Sequence, residues 1–223
     1  MPDQLIETPP HTLVINEIFN SIQGESSHAG RPCVFVRLTY CNIRCNYCDT
    51  AYAFQEGTET SIDAICDRVK EFGCNLIELT GGEPLFQSNV HDLMKRLCDE
   101  GFEVLLETGG SLDISTTDVR VKRIVDFKCP SSTMMKKNLW TNAAYLKPGD
   151  EVKFVIGTRE DYDWAKEMIA IHRLAVHCPI LMSVVFRVLE PVVLAEWILA
   201  DKLDARFQLQ AHKYIWEPET RGV

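Results

Sequence analysis

Residues 34–50 read VFVRLTYCNIRCNYCDT, a short apolar run that passes directly into three cysteines. Val34–Leu38 (VFVRL) has the density of a short buried strand. Cys41, Cys45 and Cys48 follow it with the spacing C-x3-C-x2-C. Three thiolates so close together can converge on one centre from a single loop. A cubane 4Fe–4S cluster as a rule takes four cysteines. With only three, one iron stays open to chelate a small molecule through an amine and a carboxylate. A structural zinc site wants four ligands, commonly as two separated pairs, and no second C-x2-C or H-x3-H pair is present. A ferredoxin would repeat its cysteine run or end it in Cys-Pro, whereas Asp49 follows Cys48. Zinc binding and chance clustering are the competing readings.

The bulk composition bounds the rest. At 223 residues the chain fits one compact unit, 1–223, with a short extension over about 1–13 and a tail over about 213–223. Hydrophobic residues at 46% and charged residues at 25% suit a soluble globular protein. A net charge of −9 argues against a phosphate-binding surface for nucleic acid, though it leaves room for a small positive pocket. Cys33, Cys66, Cys74, Cys98, Cys129 and Cys178 stand singly among apolar neighbours, as small core residues do. The odd cysteine count, and the lack of an apolar run after MPDQLIETPP, lead us to expect a reducing cytoplasm, no disulfides and no membrane span.

Strand and helix signals alternate along the chain. Apolar spacing predicts a helix over 61–72, with Thr60 or Ser61 as its cap, and others over 90–101, 161–173 and 191–203. Strands are expected at 75–80 (NLIELT), 103–107 (EVLLE), 123–128 (RIVDFK), 151–156 (EVKFVI), 180–186 and 207–210. This order implies parallel pairing with right-handed crossovers. About six core strands are too few for a closed eight-fold barrel. The expected fold is therefore an α/β partial, open barrel.

Parallel α/β sheets bind ligands at the carboxyl ends of their strands, and the motifs fall there. The cysteine loop follows VFVRL, Thr80-Gly81-Gly82-Glu83-Pro84 closes NLIEL, Glu107-Thr108-Gly109-Gly110 closes EVLLE, and Lys128 closes RIVDF. Alone, either glycine segment reads equally as an ordinary βα turn. Together, the cysteine triplet and TGGEP resemble the radical S-adenosylmethionine (SAM) superfamily. In that superfamily the glycine-rich backbone receives the SAM ammonium group.

Three further passages resemble one family, the 7-carboxy-7-deazaguanine synthases: Asn16–Phe19 with Ser21–Glu25 and Gly30–Pro32, the cysteine loop running into Asp49-Thr50, and Gln210–Tyr214 (QAHKY). The resemblance implies a ring contraction of 6-carboxy-5,6,7,8-tetrahydropterin to 7-carboxy-7-deazaguanine with release of ammonia, on the route to queuosine-type nucleosides. It implies one 4Fe–4S cluster on Cys41, Cys45 and Cys48, SAM, and Mg²⁺ with Thr50 as a ligand. Thr50 could instead be a helix N-cap. SAM contacts are implied for Tyr47, Asp49, Gly82 and Glu83, and in a weaker match for Asp126, Lys128 and Ser183. Substrate contacts are implied for Ile22, Gln23, Gly24, Arg37, Thr80, His212 and Val223. Arg37 could pair with the pterin carboxylate or sit in an interior salt bridge. Glu107 could hold the guanidine-like edge of the pterin or pair with Lys128. His28, His91 and His177 are expected at the surface.

The chain departs from the family pattern in two places. Some members carry Ser-Pro-Lys where this chain has Asp126-Phe127-Lys128, and Gln-Pro where it has Ser183-Val184. The resemblance also implies a homodimer and an external electron donor such as flavodoxin. A small radical SAM activase of a glycyl-radical partner, and a non-catalytic iron–sulfur carrier or zinc scaffold, are the alternatives.

Overall fold

The computed structural model describes residues 5–223. The first four residues of the expected extension lie outside them, and the rest of it is already in use: Ile6 bridges to Gln87, and Thr12 opens a strand. In chain order the elements are β1 (Thr12–Ile22), β2 (Pro32–Leu38), β3 (Thr58–Ser61), α1 (Ile62–Glu71), β4 (Leu76–Gly81), α2 (Val90–Asp99) and β5 (Glu103–Thr108). There follow β6 (Lys122–Asp126), β7 (Glu151–Ile156), α3 (Arg159–Ile171), β8 (Ile180–Val184), α4 (Pro191–Asp201), β9 (Arg206–Phe207) and α5 (His212–Ile215).

All nine strands form one sheet in the order β3-β1-β2-β4-β5-β6-β7-β8-β9. From β2 to β9 every pairing is parallel, while β1 and β3 join antiparallel at one edge. The edges β3 and β9 do not meet, so the barrel is open. β1 and β3 are additions to the expected strand set. TETS in β3 is short and polar, as suits an edge strand, and β1 carries a register shift between Ile15 and Glu17 that interrupts its alternation. α3 starts two residues before the expected position because Thr158 and Asp161 form a capping box.

The two faces of the sheet differ in chemistry because strand side chains alternate. Ile77 and Leu79, Val104 and Leu106, and Val152, Phe154 and Ile156 join the large core beneath the helices. α2 contributes Val90, Leu93, Met94 and Leu97 there, each stabilising the fold by about 1.5–3 kcal/mol on burial. The opposite face begins with a small apolar plug of Cys33, Leu76, Leu105 and Ile124. One step further along β4, β5 and β6 come Glu78, Glu107 and Asp126, joined by Lys153 from β7. These four line a cavity.

Candidate active site

The cavity, about 430 Å³ in volume, opens at the carboxyl ends of the parallel strands, within the range of small-molecule sites. Cys41, Cys45 and Cys48 line it together with Tyr47, Asp49 and Thr50. Gly82 joins from the loop after β4, Asp126 and Lys128 from β6 and its end, and Thr80 and Glu107 from β4 and β5. Ile22, Gln23, Gly24 and Arg37 enter from β1 and β2, and His212 and Val223 from the tail. Glu83 and Ser183 are not brought to the wall. Glu83 is fully buried and accepts hydrogen bonds from Thr108 Oγ1, Gly109 N and Leu85 N. It thus braces TGGEP against ETGG. Ser183 is fully buried in β8 with its hydroxyl unpartnered among the described residues.

The cysteine loop is held by backbone contacts with the glycine segment. Gly82 N donates to Leu38 O (3.1 Å) and Glu83 N to Tyr40 O (2.8 Å). A Cβ on Gly82 would stand 2.1 Å from Tyr40 O, so no larger residue fits without displacing the loop. Tyr40 itself adopts φ +75°, local strain immediately before Cys41. Arg44 ties the turn by donating to Cys41 O and Ile43 O and packs over the Phe54 ring at 4.0 Å.

Burial raises all three thiols above their ordinary range, Cys41 to about 12. The Lys128 ammonium opposes that rise at each of them. Among the described residues no three His, Cys, Asp or Glu side chains stand close enough to hold a single metal ion as they are. Each thiolate of a cluster binds its own iron, so a cluster does not need the sulfurs as near as one ion would. Three thiol ligands from one loop lining an open cavity beside a buried cation fit the cluster chemically. Two unsatisfied buried atoms on the same wall, Tyr47 OH and Asp126 Oδ1, fit a polar small molecule beside it.

The remaining residues resolve several alternatives. Thr50 precedes the 3₁₀ turn Ala51–Phe54 but makes no capping hydrogen bond; its hydroxyl donates to Asp49 Oδ1 at 3.0 Å. Its oxygen can still accept a hard cation. Arg37 is in an ion pair, Nε to Glu17 Oε1 at 2.8 Å, and also lines the cavity. Lys128 pairs with Asp126 at 2.8 Å and not with Glu107. Glu107 pairs instead with Lys153 at 2.8 Å. Desolvation works against the charge of Lys128, yet Asp126 and Cys45 hold its affinity for the proton above the ordinary value. Desolvation likewise opposes the charge of Asp49, but Lys213, 2.6 Å away, keeps its carboxyl below the usual range. His212 packs on Gly24, where a Cβ would meet its ring at 2.3 Å, and burial lowers its pKa.

Glu78, Lys153 and Arg221 are cavity residues outside the motifs, and Lys213 is one that QAHKY contains but for which no role is implied. A charge inside an apolar strand, as in NLIELT and EVKFVI, is the signal that could have found the first two. His28 and His91, expected at the surface, are half-buried, because His28 packs under Arg31 and Glu103 and His91 lies along α2. His177 is exposed. The expected core cysteines are buried at Cys33, Cys66, Cys129 and Cys178 and half-buried at Cys74 and Cys98; all nine are free.

The Radical SAM superfamily matches residues 36–135, the span from β2 through the cysteine loop to the turn after β6. Over 214 residues the chain is 51% identical to the 7-carboxy-7-deazaguanine synthase of Chlorobaculum tepidum, covering 95% of this chain and 97% of that one. The chain belongs to the 7-carboxy-7-deazaguanine synthase family. It is also 42% identical to the synthase of Koribacter versatilis over 94% of its length and 99% of the relative's. The crystal structure of QueE from Escherichia coli superposes with a TM-score of 0.77 at 21% identity, over 90% of this chain and 95% of that one, so the open barrel is shared. Membership in this radical SAM family implies a 4Fe–4S cluster and SAM. No helix among the described residues is long and apolar enough to cross a membrane.

Proposed function

We propose that the chain, taken as one catalytic unit, converts 6-carboxy-5,6,7,8-tetrahydropterin to 7-carboxy-7-deazaguanine and releases ammonia. The observation that carries this reading is one cavity holding three cysteines, two unpartnered buried polar atoms and groups suited to both ends of a carboxypterin. Cys41, Cys45 and Cys48 would hold the cluster. With SAM bound to it, the cluster would supply a carbon radical that takes hydrogen from the substrate. The protein's part is to bind, orient and exclude water.

In this reading Tyr47, Gly82, Asp126 and Lys128 contact SAM. Arg37 offers its guanidinium to the pterin carboxylate; Glu17 uses only Nε, and the two terminal nitrogens have no acceptor among the described residues. Glu107 accepts the amine and ring N–H of the pterin. Thr50 supplies a hard oxygen to Mg²⁺. Pro218 to Val223 form part of the cavity wall, with Arg221 stacked over Tyr52 at 3.8 Å, which suits a small substrate better than a protein loop. A reducing cytoplasm, an external donor such as flavodoxin and a homodimer complete the proposal.

The test is an anaerobic reaction of reconstituted protein with SAM, Mg²⁺, a strong reductant and 6-carboxytetrahydropterin, followed by mass spectrometry. The expected result is 7-carboxy-7-deazaguanine with one ammonia per product. Reductive SAM cleavage without product would discard this substrate and bring the activase reading forward.

A further inference from the structure

Resting on that reading, the structure points to a residue outside the family motifs. Glu78 lies in β4 on the concave face, 2% exposed, with its side chain on the cavity wall. Its carboxyl accepts a hydrogen bond from Gln23 Nε2 and comes within hydrogen-bonding reach of Glu107. Glu107 in turn binds Lys153 Nζ at 2.8 Å, and Lys153 also contacts Glu25. Glu25 takes a further hydrogen bond from Gln210 Nε2 at 2.9 Å, and His212 stands beside it. On β2 the register partner of Glu78 is Phe35, which brings no charge.

Two carboxylates, Glu25 and Glu107, therefore contact one ammonium group, and Glu78 stands beside them as a third. With Glu78 ionised this set carries three negative charges and one positive; with Glu78 neutral it carries two and one. Burial first, then the neighbouring Glu107 and Glu25, raise Glu78 far above an ordinary carboxyl. Lys153 and His212 hold Glu25 below its usual value, although burial works against its charge. Of these carboxyls Glu78 is the one that its surroundings push toward the neutral form.

We infer that Glu78 is a positioning residue for the substrate: standing beside Glu107 as a neutral carboxylic acid, it leaves the pair with a single negative charge to meet two neighbouring N–H donors of a neutral heterocycle. Two bare carboxylates would favour a guanidinium-like cation over the uncharged aminopyrimidinone edge of a pterin. The unpartnered Asp126 Oδ1 in the same cavity shows that the wall has capacity left for a ligand. Glu78 acts through Glu107, which touches the ligand directly.

The experiment is equilibrium binding of 6-carboxypterin, a stable fluorescent analogue, to the cluster-loaded, SAM-bound protein between neutral and mildly alkaline pH. The analogue's own titration is common to all variants and cancels in their ratio. As pH rises Glu78 loses its proton, so wild-type affinity should fall beyond the analogue's contribution. Glu78→Gln keeps the neutral state permanently; it should bind within about threefold of wild type at neutral pH and lose the excess pH dependence. Glu78→Ala should bind about tenfold more weakly while SAM binding is unchanged.

A Gln variant with the wild-type pH profile, or an Ala variant with wild-type affinity, would overturn the role of Glu78 alone. If Glu78→Ala does not fold, the Gln variant carries the test. Wild-type protein that neither binds the analogue nor forms product would overturn the proposed function, and this inference with it.

Discussion

Two buried charged clusters sit in the same sheet and do opposite things. In one, Arg123 of β6 meets Asp150, which immediately precedes β7. Arg123 Nε and Nη2 both bind Asp150 Oδ2, and Nη1 donates to Ile114 O and Thr117 Oγ1. Lys147 and two backbone amides use the rest of the Asp150 carboxylate. Every polar group is matched. In the other, Lys153 contacts Glu25 and Glu107 with Glu78 beside them, and Tyr47 OH and Asp126 Oδ1 in the same cavity have no partner among the described residues. A saturated cluster locks loops together. A cluster with surplus charge and unmet hydrogen bonds awaits a ligand.

The comparison breaks most visibly at the cavity rim. Cys45→Ala should abolish cluster assembly and activity, read as lost iron content and visible absorbance, while the unfolding free energy changes by no more than about 1 kcal/mol. A fully active variant would refute the cluster assignment. At the saturated cluster the expectation inverts. Asp150→Ala leaves Arg123 buried and unpaired and should cost about 3–5 kcal/mol in denaturant unfolding, with kcat/KM per folded molecule unchanged.

Tyr47→Phe sharpens the contrast from the other side. Removing a buried hydroxyl that has no protein partner should leave the ligand-free fold as stable or slightly more so. SAM binding, measured by perturbation of the reduced cluster's EPR spectrum, should weaken by about tenfold.

The smallest effect is expected at the amino end of β5. There Glu103 is held down to about 2, chiefly by its hydrogen bond to Arg31, against the desolvation that opposes it. Its folded value lies below the unfolded one, so its stabilisation is present above about pH 4.5 and is lost as pH falls toward 2. Glu103→Gln should cost about 0.5–1 kcal/mol at neutral pH because the pair is partly exposed and screened. That difference should vanish in acid unfolding titrations.

The parallel core was legible because strands such as EVLLE and EVKFVI are buried on both faces and read as continuous runs. β1 and β3 were not, since TLVINEIFNSI is half-buried with a register shift and TETS has no apolar residue. The cysteine loop, TGGEP and QAHKY placed the cluster side and part of the rest of the cavity wall from spacing and resemblance. What escaped was pairing across strands: sequence sees Glu107, Lys128 and Lys153 as separate letters, and only the folded sheet shows that Lys153, in register with Asp126, reaches across β6 to Glu107. The role of Glu83 was hidden for a similar reason, because its three donors come from segments on both sides of α2.

The most direct measurement of the central claim, that cofactor and pterin share this one cavity, is a turnover with substrate deuterated at C6. On the proposed reading the radical derived from SAM takes the C6 hydrogen and SAM is re-formed once a hydrogen is returned, so the account predicts 7-carboxy-7-deazaguanine together with deuterium recovered in the 5′ position of SAM. Product formed with no label in SAM would contradict it.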